Sequence, residues 1–246
     1  MSTPVIESLF PEFSNQGGDN GNMMYLKACL PDAEFIETGF TDEPAFMARD
    51  VDFIYLGYMT ETEQEKVVAK LMPYKARLAE LVEKGCVVLF TGNACDLLGT
   101  KIVCDDGHEV DCLGFFDFTV KQDFSRRIVE PYLGTFVPAG NGAQPLEIVG
   151  YKVQFTQVEG DNSREPFCKN EVGFGLKAGD SFEGYRRRNL FGTWLCAPLL
   201  PMNPLFTEYL MGLMGQTAKA AFRDVAMAAY RHRLEEQKTP GLHMPI

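Results

Sequence analysis

The stretch CVVLFTGNACDLLG, residues 86–99, joins a hydrophobic run to a short helical pattern through small residues. Residues 87–90 are consecutive apolar residues, which is typical of a strand buried on both faces. Thr91–Ala94 are small or turn-forming residues, and an apolar helical pattern begins at Cys95. Many α/β enzymes carry their nucleophile on a sharp strand-to-helix turn of this kind. The stretch therefore predicts an α/β fold and makes the turn a candidate site.

The segments before this stretch continue the alternation of strands and helices. VDFIYLGY, residues 51–58, is another continuous apolar run of the strand type. Residues 60–85 predict one helix, or two helices broken near Pro73, with Thr60 as the N-cap and Gly85 at the end. Strands that alternate with helices in this way indicate a parallel sheet with crossover helices.

The second half of the chain is richer in strand patterns. Residues 101–122 contain two strand-like runs around an Asp-Asp-Gly-His turn, which predicts a hairpin. Strand-like runs follow at 146–160 and 170–179, and an apolar strand with a Pro-rich loop follows at 189–204. Residues 204–238 predict a terminal helix that packs on the core rather than on a partner, followed by a loose tail.

Composition and charge disfavour several classes of protein. The chain has 246 residues, of which 46% are hydrophobic, and no repeat or linker divides it, so residues 1–246 are expected to form a single domain. A net charge of −11 disfavours binding to nucleic acid or to anionic membranes. No apolar run is long enough to span a membrane and the N-terminus lacks a signal-peptide pattern, so a cytoplasmic protein is expected.

The cysteines and histidines give no familiar metal-binding pattern. Seven cysteines occur without a Cys-x-x-Cys motif, which predicts reduced and mostly buried thiols in a cytosolic chain. The three histidines include no pair with the spacing of metal ligands, so neither a metal nor another cofactor is expected. Asp105, Asp106 and Asp111 belong either to a cation site or to a polar hairpin turn, and the turn is the simpler explanation.

Four segments that together span most of the chain resemble class I glutamine amidotransferases of the CobB/CobQ-like group. They are GGDNGNMMYLKA (17–28), TGNACDLLGTKIVCDDGHEVDCLGFFDF (91–118), SRRIVEPY (125–132) and NLFGTWLCAPLLPMNP (189–204). The likeness is greatest to glutaminase subunits that work with a Mur-ligase-like subunit in amidating cell-wall peptides. The resemblance implies a flavodoxin-like domain with a mostly parallel central sheet flanked by helices.

The residues that carry the family's chemistry are replaced in this chain. In the family, a cysteine at the elbow attacks glutamine, a histidine takes its proton, and backbone N–H groups hold the oxyanion. At the matching positions, this chain has Gly92 for the nucleophile and Cys196 for the base. Its oxyanion loop reads Gly57-Tyr58-Met59, which is bulkier than the family's glycines. The resemblance therefore implies a fold that is retained without its Cys–His pair.

Cys95 is the alternative nucleophile at this turn. It lies three residues after Gly92, where a helix N-terminus favours a thiolate, whereas the charge of Asp96 beside it disfavours ionisation. The other interpretation is that Cys95 is a small residue packed beneath the turn. A disulfide or metal bridge between Cys95 and Cys196 would need their Cα atoms to lie within about 7 Å of each other.

Five residues at positions that match the family are candidates to line the pocket. They are Gly57, Tyr58, Asn93, Arg126 and Gln154, and the implied ligand is small and resembles an amino acid. Arg126 either holds a carboxylate through its bidentate guanidinium group or forms a surface salt bridge.

Three further residues near the motifs have structural interpretations. Asp19 and Asn22 either order the loop beside the pocket or cap the following helix. Trp194 lies in an apolar strand and is expected to pack in the core.

These features lead to three hypotheses about function. The first is a catalytically degenerate glutaminase-subunit homologue that acts by binding a Mur-ligase-like or synthetase subunit. The second is a working amidotransferase in which Cys95 is the nucleophile and the base comes from elsewhere. The third is a sensor or scaffold that keeps the pocket for another small ligand.

Overall fold

The computed structural model describes residues 3–140 and 142–239. Its strands, in chain order, are β1 (Val5–Leu9), β2 (Glu34–Thr38), β3 (Phe53–Leu56), β4 (Val87–Thr91), β5 (Lys101–Val103), β6 (Glu109–Asp111), β7 (Phe118–Gln122), β8 (Ile128–Phe136), β9 (Leu146–Gln154), β10 (Thr156–Gly160), β11 (Pro166–Val172), β12 (Phe182–Arg187), β13 (Leu190–Thr193) and β14 (Leu195–Cys196). Its α-helices are α1 (Gly21–Cys29), α2 (Ala45–Ala48), α3 (Glu61–Leu71), α4 (Lys75–Lys84), α5 (Leu199–Met202), α6 (Pro204–Leu213) and α7 (Arg223–Lys238).

The strands form one large sheet and one small sheet. The large sheet has ten strands in the order β14-β9-β8-β11-β12-β13-β4-β3-β1-β2. The neighbouring strands β13, β4, β3, β1 and β2 are parallel to one another. On the other side of β13, the strands β12, β11, β8, β9 and β14 continue the sheet with antiparallel pairing. The predicted α/β fold with a large central sheet and flanking helices is confirmed. The parallel part is smaller than predicted, because the strand-rich second half extends the same sheet with antiparallel strands.

Strand β4, from the stretch quoted first, lies at the centre of the parallel part. All five of its residues are buried, as expected for a strand covered by helices on both faces. Val88 is paired with Ile54 of β3 on one side and with Leu190 of β13 on the other. The C-terminal end of β4 therefore opens at the edge where parallel sheets place their sites.

The helical segment between β3 and β4 follows the prediction closely. The Thr60 side chain accepts a hydrogen bond from the Glu63 backbone N–H, and the Glu63 carboxylate accepts one from the Thr60 backbone N–H, which makes a capping box. A 3-10 turn that includes Pro73 separates α3 from α4. Gly85 ends α4 with a φ of 96°, a left-handed conformation that glycine adopts without steric cost.

The hairpin predicted around Asp105–His108 is part of the small sheet. Strands β5 and β6 pair in the antiparallel sense around that turn, and the sheet order is β10-β7-β5-β6. Because β10 follows β9 after a single residue, the chain passes directly from the large sheet to the small one.

Two predicted elements differ in extent from those observed. The segment 204–238 is not one helix, because α6 ends at Leu213 and the chain takes left-handed conformations at Gly215 and Phe222 before α7 begins. The strand predicted at 170–179 ends at Val172, where Gly173 turns with a φ of 81°. Apolar periodicity continues through both breaks, so it gave no signal of them.

Helix α7 packs on the antiparallel half of the large sheet, as a core-packing terminal helix should. Tyr230 of α7 is buried, and its hydroxyl donates to the Glu147 carbonyl at 2.8 Å. The expected loose tail lies outside the described residues from 240 onward. Among the described residues, no helix is long and apolar enough to cross a membrane.

Candidate functional site

The turn after β4 is built around a glycine that leaves no room for a side chain. Gly92 has a φ of 58° and begins a 3-10 helix, Gly92–Leu98. A Cβ added to Gly92 would lie 2.6 Å from Cβ and 2.8 Å from Cγ of Tyr58. The turn keeps the sharp strand-to-helix shape of a nucleophile elbow, while Tyr58 fills the space in front of it.

Two hydrogen-bonded clamps hold Tyr58 in that place. The Tyr58 backbone N–H donates to Oδ2 of Asp19 at 2.9 Å. The next residue, Met59, donates its N–H to Oδ1 of Asn93 at 3.0 Å and accepts from Nδ2 of Asn93 at 2.8 Å. The loop that matches the oxyanion loop of the family is therefore attached to the turn after β4, and one of its N–H groups is already satisfied by Asn93.

The phenol of Tyr58 is half-buried and remains protonated at neutral pH. Burial, and after it the charge of Glu61, raise its pKa to about 12, while the charge of Arg127 opposes the shift. Tyr58 therefore presents a neutral side chain to Gly92 at the turn.

Asp19 is the centre of the network behind the turn. Its buried carboxylate accepts from the hydroxyls of Thr91 at 2.5 Å and Tyr55 at 2.9 Å, in addition to the Tyr58 N–H. Asn22 donates to Oδ1 of Asp19 at 2.9 Å. Helix α1 has Asn20 as its N-cap, with no side-chain cap bond. Of the two interpretations of Asp19, ordering of the pocket loop is the one that fits.

Cys95 lies in the core beneath the turn. Its side chain is fully buried, and its sulfur would be 3.0 Å from a Cβ added to Gly192 of β13. Burial, together with the negative charges of Glu183 and Asp96, holds the pKa of the thiol well above its usual value. These surroundings fit the packing interpretation and keep the sulfur in its unreactive protonated form.

Cys196 occupies the position that matches the family's base. Its sulfur lies 3.4 Å from the Tyr151 carbonyl, and burial raises the pKa of the thiol to about 12. Cys95 and Cys196 are both free thiols, as are all the cysteines of the chain. The alternative of a disulfide between them is therefore wrong.

A groove of about 850 Å³ lies along the ends of β8 and β10. Arg126, Arg127 and Lys177 give its wall positive charge, and Glu130 and Glu159 also line it.

The expected pocket residues are only partly brought together. Tyr58 lies against Gly92 of the turn that contains Asn93, and Gly57 lies beside Tyr55 and Asp19 behind it, whereas Arg126 is exposed on the groove wall. Gln154 is buried at the end of β9, where its Nε2 donates to the Thr156 carbonyl at 2.8 Å.

Sequence reasoning considered Asp96 only for its charge beside Cys95 and missed the burial of its carboxylate. Asp96 is fully buried and accepts from Nε1 of Trp194 at 2.7 Å and from Nε2 of Gln64 at 2.8 Å. Thr156 completes the set with a longer bond of 3.4 Å. Trp194 is buried as predicted, and its indole N–H also has this specific partner.

A pH dependence of stability follows from Asp96. Burial raises its pKa from 3.8 to about 7, while hydrogen bonds from Trp194, Gln64 and Thr156 oppose the shift. The folded protein therefore retains a proton that the unfolded chain releases above its ordinary pKa. The stabilising contribution of this group is present at acidic pH and is lost as the pH rises toward 7.

The Asp96→Asn variant tests this dependence in urea denaturation at several pH values. Between about pH 5 and 7, we expect the free energy of unfolding of the wild type to fall by up to about 1.4 kcal/mol per pH unit more steeply than that of the variant. Asp32→Asn, at an exposed position, is the control and should keep the wild-type slope. Equal slopes for the wild type and Asp96→Asn would contradict the assignment.

Sequence reasoning also missed a buried ion pair near the same core. Nζ of Lys152 lies 3.8 Å from Oε1 of Glu183, and both side chains are fully buried. Glu183 also accepts from the Thr193 hydroxyl and from the backbone N–H of Trp194, each at 2.9 Å. Lys152 donates to the Gly175 carbonyl. Every charge in this pair is thus met by a polar partner, as buried charges require.

A large central sheet with helices on it, and a sharp positive-φ turn that faces a clamped loop at the end of a central strand, define a domain of the class I glutamine amidotransferase type. The model of the CobB/CobQ-like glutamine amidotransferase domain matches residues 10–203, and the chain belongs to this family.

One curated relative and two solved structures illustrate the similarity. The chain is 27% identical over 164 residues to the GatD subunit of the glutamine-hydrolysing lipid II isoglutaminyl synthase of Staphylococcus aureus. That match covers 66% of this chain and 63% of the relative, so it spans less than two thirds of the relative's length.

The similarity to solved structures shows the fold alone. A chain of the PurLQS structure from Thermotoga maritima superposes with a TM-score of 0.54 at 12% identity, over 95% of this chain and 100% of that one. A crystal structure described as a glutamine amidotransferase gives a TM-score of 0.52 at 13% identity, over 85% of this chain and 99% of that one.

Proposed function

We propose that this protein is a CobB/CobQ-like homologue that does not hydrolyse glutamine and acts by binding. The observation that carries the proposal is the turn after β4, where Gly92 replaces the nucleophile and Tyr58 lies where a side chain at that position would extend. Covalent catalysis needs an attacking atom within reach of the substrate carbonyl. A glycine blocked by a neighbouring phenol supplies none.

The absence of a base supports the same proposal. Cys196 stands at the matching position, and its thiol, with a pKa of about 12, neither accepts a proton readily nor attacks at neutral pH. The oxyanion loop is also compromised, because the Met59 N–H is already bonded to Asn93. The proposal therefore rests on three features of the reaction: the nucleophile, the base and the N–H group that would hold the oxyanion.

The groove gives the proposed binding role its chemistry. Arg126, Arg127 and Lys177 suit a carboxylate, while Glu130 and Glu159 suit an amino group. A small zwitterion resembling an amino acid would find both partners on this wall. The curated relative is described as a subunit of a synthase. We therefore propose that a Mur-ligase-like or synthetase subunit is the partner, in the cytoplasm.

A glutaminase assay tests the loss of catalysis. Purified protein, alone and mixed with the Mur-ligase-like subunit encoded nearest to it, is incubated with glutamine and glutamate is measured. We expect no glutamate above a blank without protein, because nucleophile and base are both missing.

The competing hypothesis of a relocated nucleophile is tested in the same assay. Clear turnover that is abolished by Cys95→Ala but kept by Cys112→Ala would overturn the proposal and make Cys95 the nucleophile. Cys112 is a matched control because its thiol is likewise buried but lies away from the turn, beside β6. A glutamine-mimicking electrophile with mass mapping gives an independent answer, and we expect no label on Cys95, which is fully buried.

A sensor or scaffold role would require the protein to bind a small ligand and not only a partner subunit. A thermal-shift screen with amino acids and nucleotides distinguishes it from a protein that binds only a partner subunit. A ligand that raises the melting temperature of the wild type but not that of Arg126→Ala would place the ligand in the groove.

A further inference from the structure

A second cluster of chemically active side chains lies away from the turn, where the β5–β6 hairpin meets helix α3. Glu65 of α3, Cys104 and His108 each direct one potential ligand atom into the same space, and these atoms all lie within 4.8 Å of one another. Nε2 of His108 is 3.3 Å from Oε2 of Glu65, and Sγ of Cys104 is 3.8 Å from Oε1 of Glu65.

The histidine is oriented by a carboxylate on its other nitrogen. Oδ1 of Asp106 lies 2.5 Å from Nδ1 of His108 and also accepts the His108 backbone N–H at 3.1 Å. A proton held on Nδ1 by this contact leaves the lone pair of Nε2 directed toward Glu65 and Cys104. Histidines that bind metals are held by a carboxylate or carbonyl on the second nitrogen in the same way.

The hairpin turn fixes the distance between the cysteine and the histidine. The Cys104 N–H donates to the His108 carbonyl at 2.8 Å, and the Gly107 N–H donates to the Cys104 carbonyl at 2.9 Å. Gly107 has a φ of 92°, which glycine adopts at no steric cost. The turn is therefore rigid before any ligand binds, so little ordering is required on binding.

Exposure and charge also suit a bound cation. Cys104 is buried, whereas the side chains of Glu65 and His108 are 39% and 47% exposed, so an ion could enter from solvent. The four side chains that meet here carry no permanent positive charge. One sulfur, one imidazole nitrogen and one carboxylate oxygen form a mixed ligand set that is typical of Zn²⁺.

We propose that Glu65, Cys104 and His108 bind one Zn²⁺ ion, with water as the fourth ligand and Asp106 holding the histidine. On binding, the Cys104 thiol loses its proton to the solvent and the thiolate bonds to the metal. The ion would join the small sheet to helix α3. The sequence patterns did not predict this site because Glu65 lies 39 residues before Cys104 and the chain has no histidine pair.

Titration calorimetry of the whole chain with Zn²⁺ tests the proposal. We expect one site per chain, proton release that appears as a dependence of the heat on the buffer, and a rise in melting temperature that chelation reverses. With Co²⁺ as a spectroscopic probe, we expect a thiolate-to-metal charge-transfer band that the Cys104→Ser variant lacks.

Variants at the exposed ligands keep the test independent of folding. His108→Gln and Glu65→Gln should each weaken Zn²⁺ binding by at least about tenfold, and Asp106→Asn by about 10- to 100-fold. His232→Gln is the matched control, because His232 of α7 also lies beside a carboxylate, 3.1 Å from Glu236. Failure of the wild type to bind Zn²⁺, or binding that His108→Gln and His232→Gln affect equally, would overturn the proposal.

Discussion

Restoring a cysteine at position 92 will destabilise the protein rather than restore an enzyme. The Gly92→Cys variant should lose about 2–6 kcal/mol of unfolding free energy, the sum of backbone strain at positive φ and overpacking. Strain arises because Gly92 has a φ of 58°, and overpacking arises because the new Cβ would lie 2.6 Å from Cβ of Tyr58. Urea denaturation of the variant against the wild type measures the loss.

The atom responsible for the clash can be identified by two changes at Tyr58. Tyr58→Ala removes Cγ and Cδ2, which would lie 2.8 and 3.0 Å from the new Cβ, but keeps Cβ at 2.6 Å, so it should relieve only part of the loss caused by Gly92→Cys. Tyr58→Gly removes that atom and should recover the overpacking share, about 1–3 kcal/mol, while the strain remains. If Gly92→Cys costs the same in all three backgrounds, Tyr58 does not block the turn.

Breaking the buried ion pair should have an effect of similar size. Lys152→Met leaves Glu183 charged and uncompensated in a fully buried place, which should cost about 3–5 kcal/mol of stability. Burial lowers the pKa of Lys152 and raises that of Glu183, so each group depends on the other to remain charged. The measurement is again the free energy of unfolding in urea.

The double variant Lys152→Met with Glu183→Gln separates lost pairing from lost packing. Glutamine keeps one oxygen, which can accept from the Trp194 backbone N–H at the place of Oε1, and its amide NH₂ can donate to the Thr193 hydroxyl at the place of Oε2, but it carries no charge. The double variant should therefore recover a large part of the loss. A double variant as unstable as Lys152→Met, or less stable, would mean that the cost lies in packing around the lysine stem.

Much of the fold could be predicted because it depends on local patterns. The apolar runs of β3 and β4, the capping residue Thr60 and the terminating Gly85 are each visible within a few residues of sequence. The breaks after Leu213 and Val172 were not visible, since apolar residues continue across both. Backbone conformation at a few positions, and not periodicity, ends those elements.

For the candidate site too, some features could be predicted from local motifs and others could not. The positions of Gly92 and Cys196 follow from motifs that resemble the family, but the location of Tyr58 against the turn depends on contacts between separate loops. Asp96 and Lys152 are single charged residues within apolar segments, and that irregularity was the available signal. Which partners would neutralise them depends on tertiary contacts that no spacing encodes.

The position of β13 has a consequence for how the chain folds during synthesis. Strand β13 lies between β4 and β12, and its Leu190 pairs with Val88, roughly one hundred residues earlier. Until β13 leaves the ribosome, β4 exposes an apolar edge with unpaired backbone groups, which is prone to aggregation. A nascent chain that stops before residue 190 would therefore depend on chaperones, although helices α1 to α4 and strands β1 to β4 had already been synthesised.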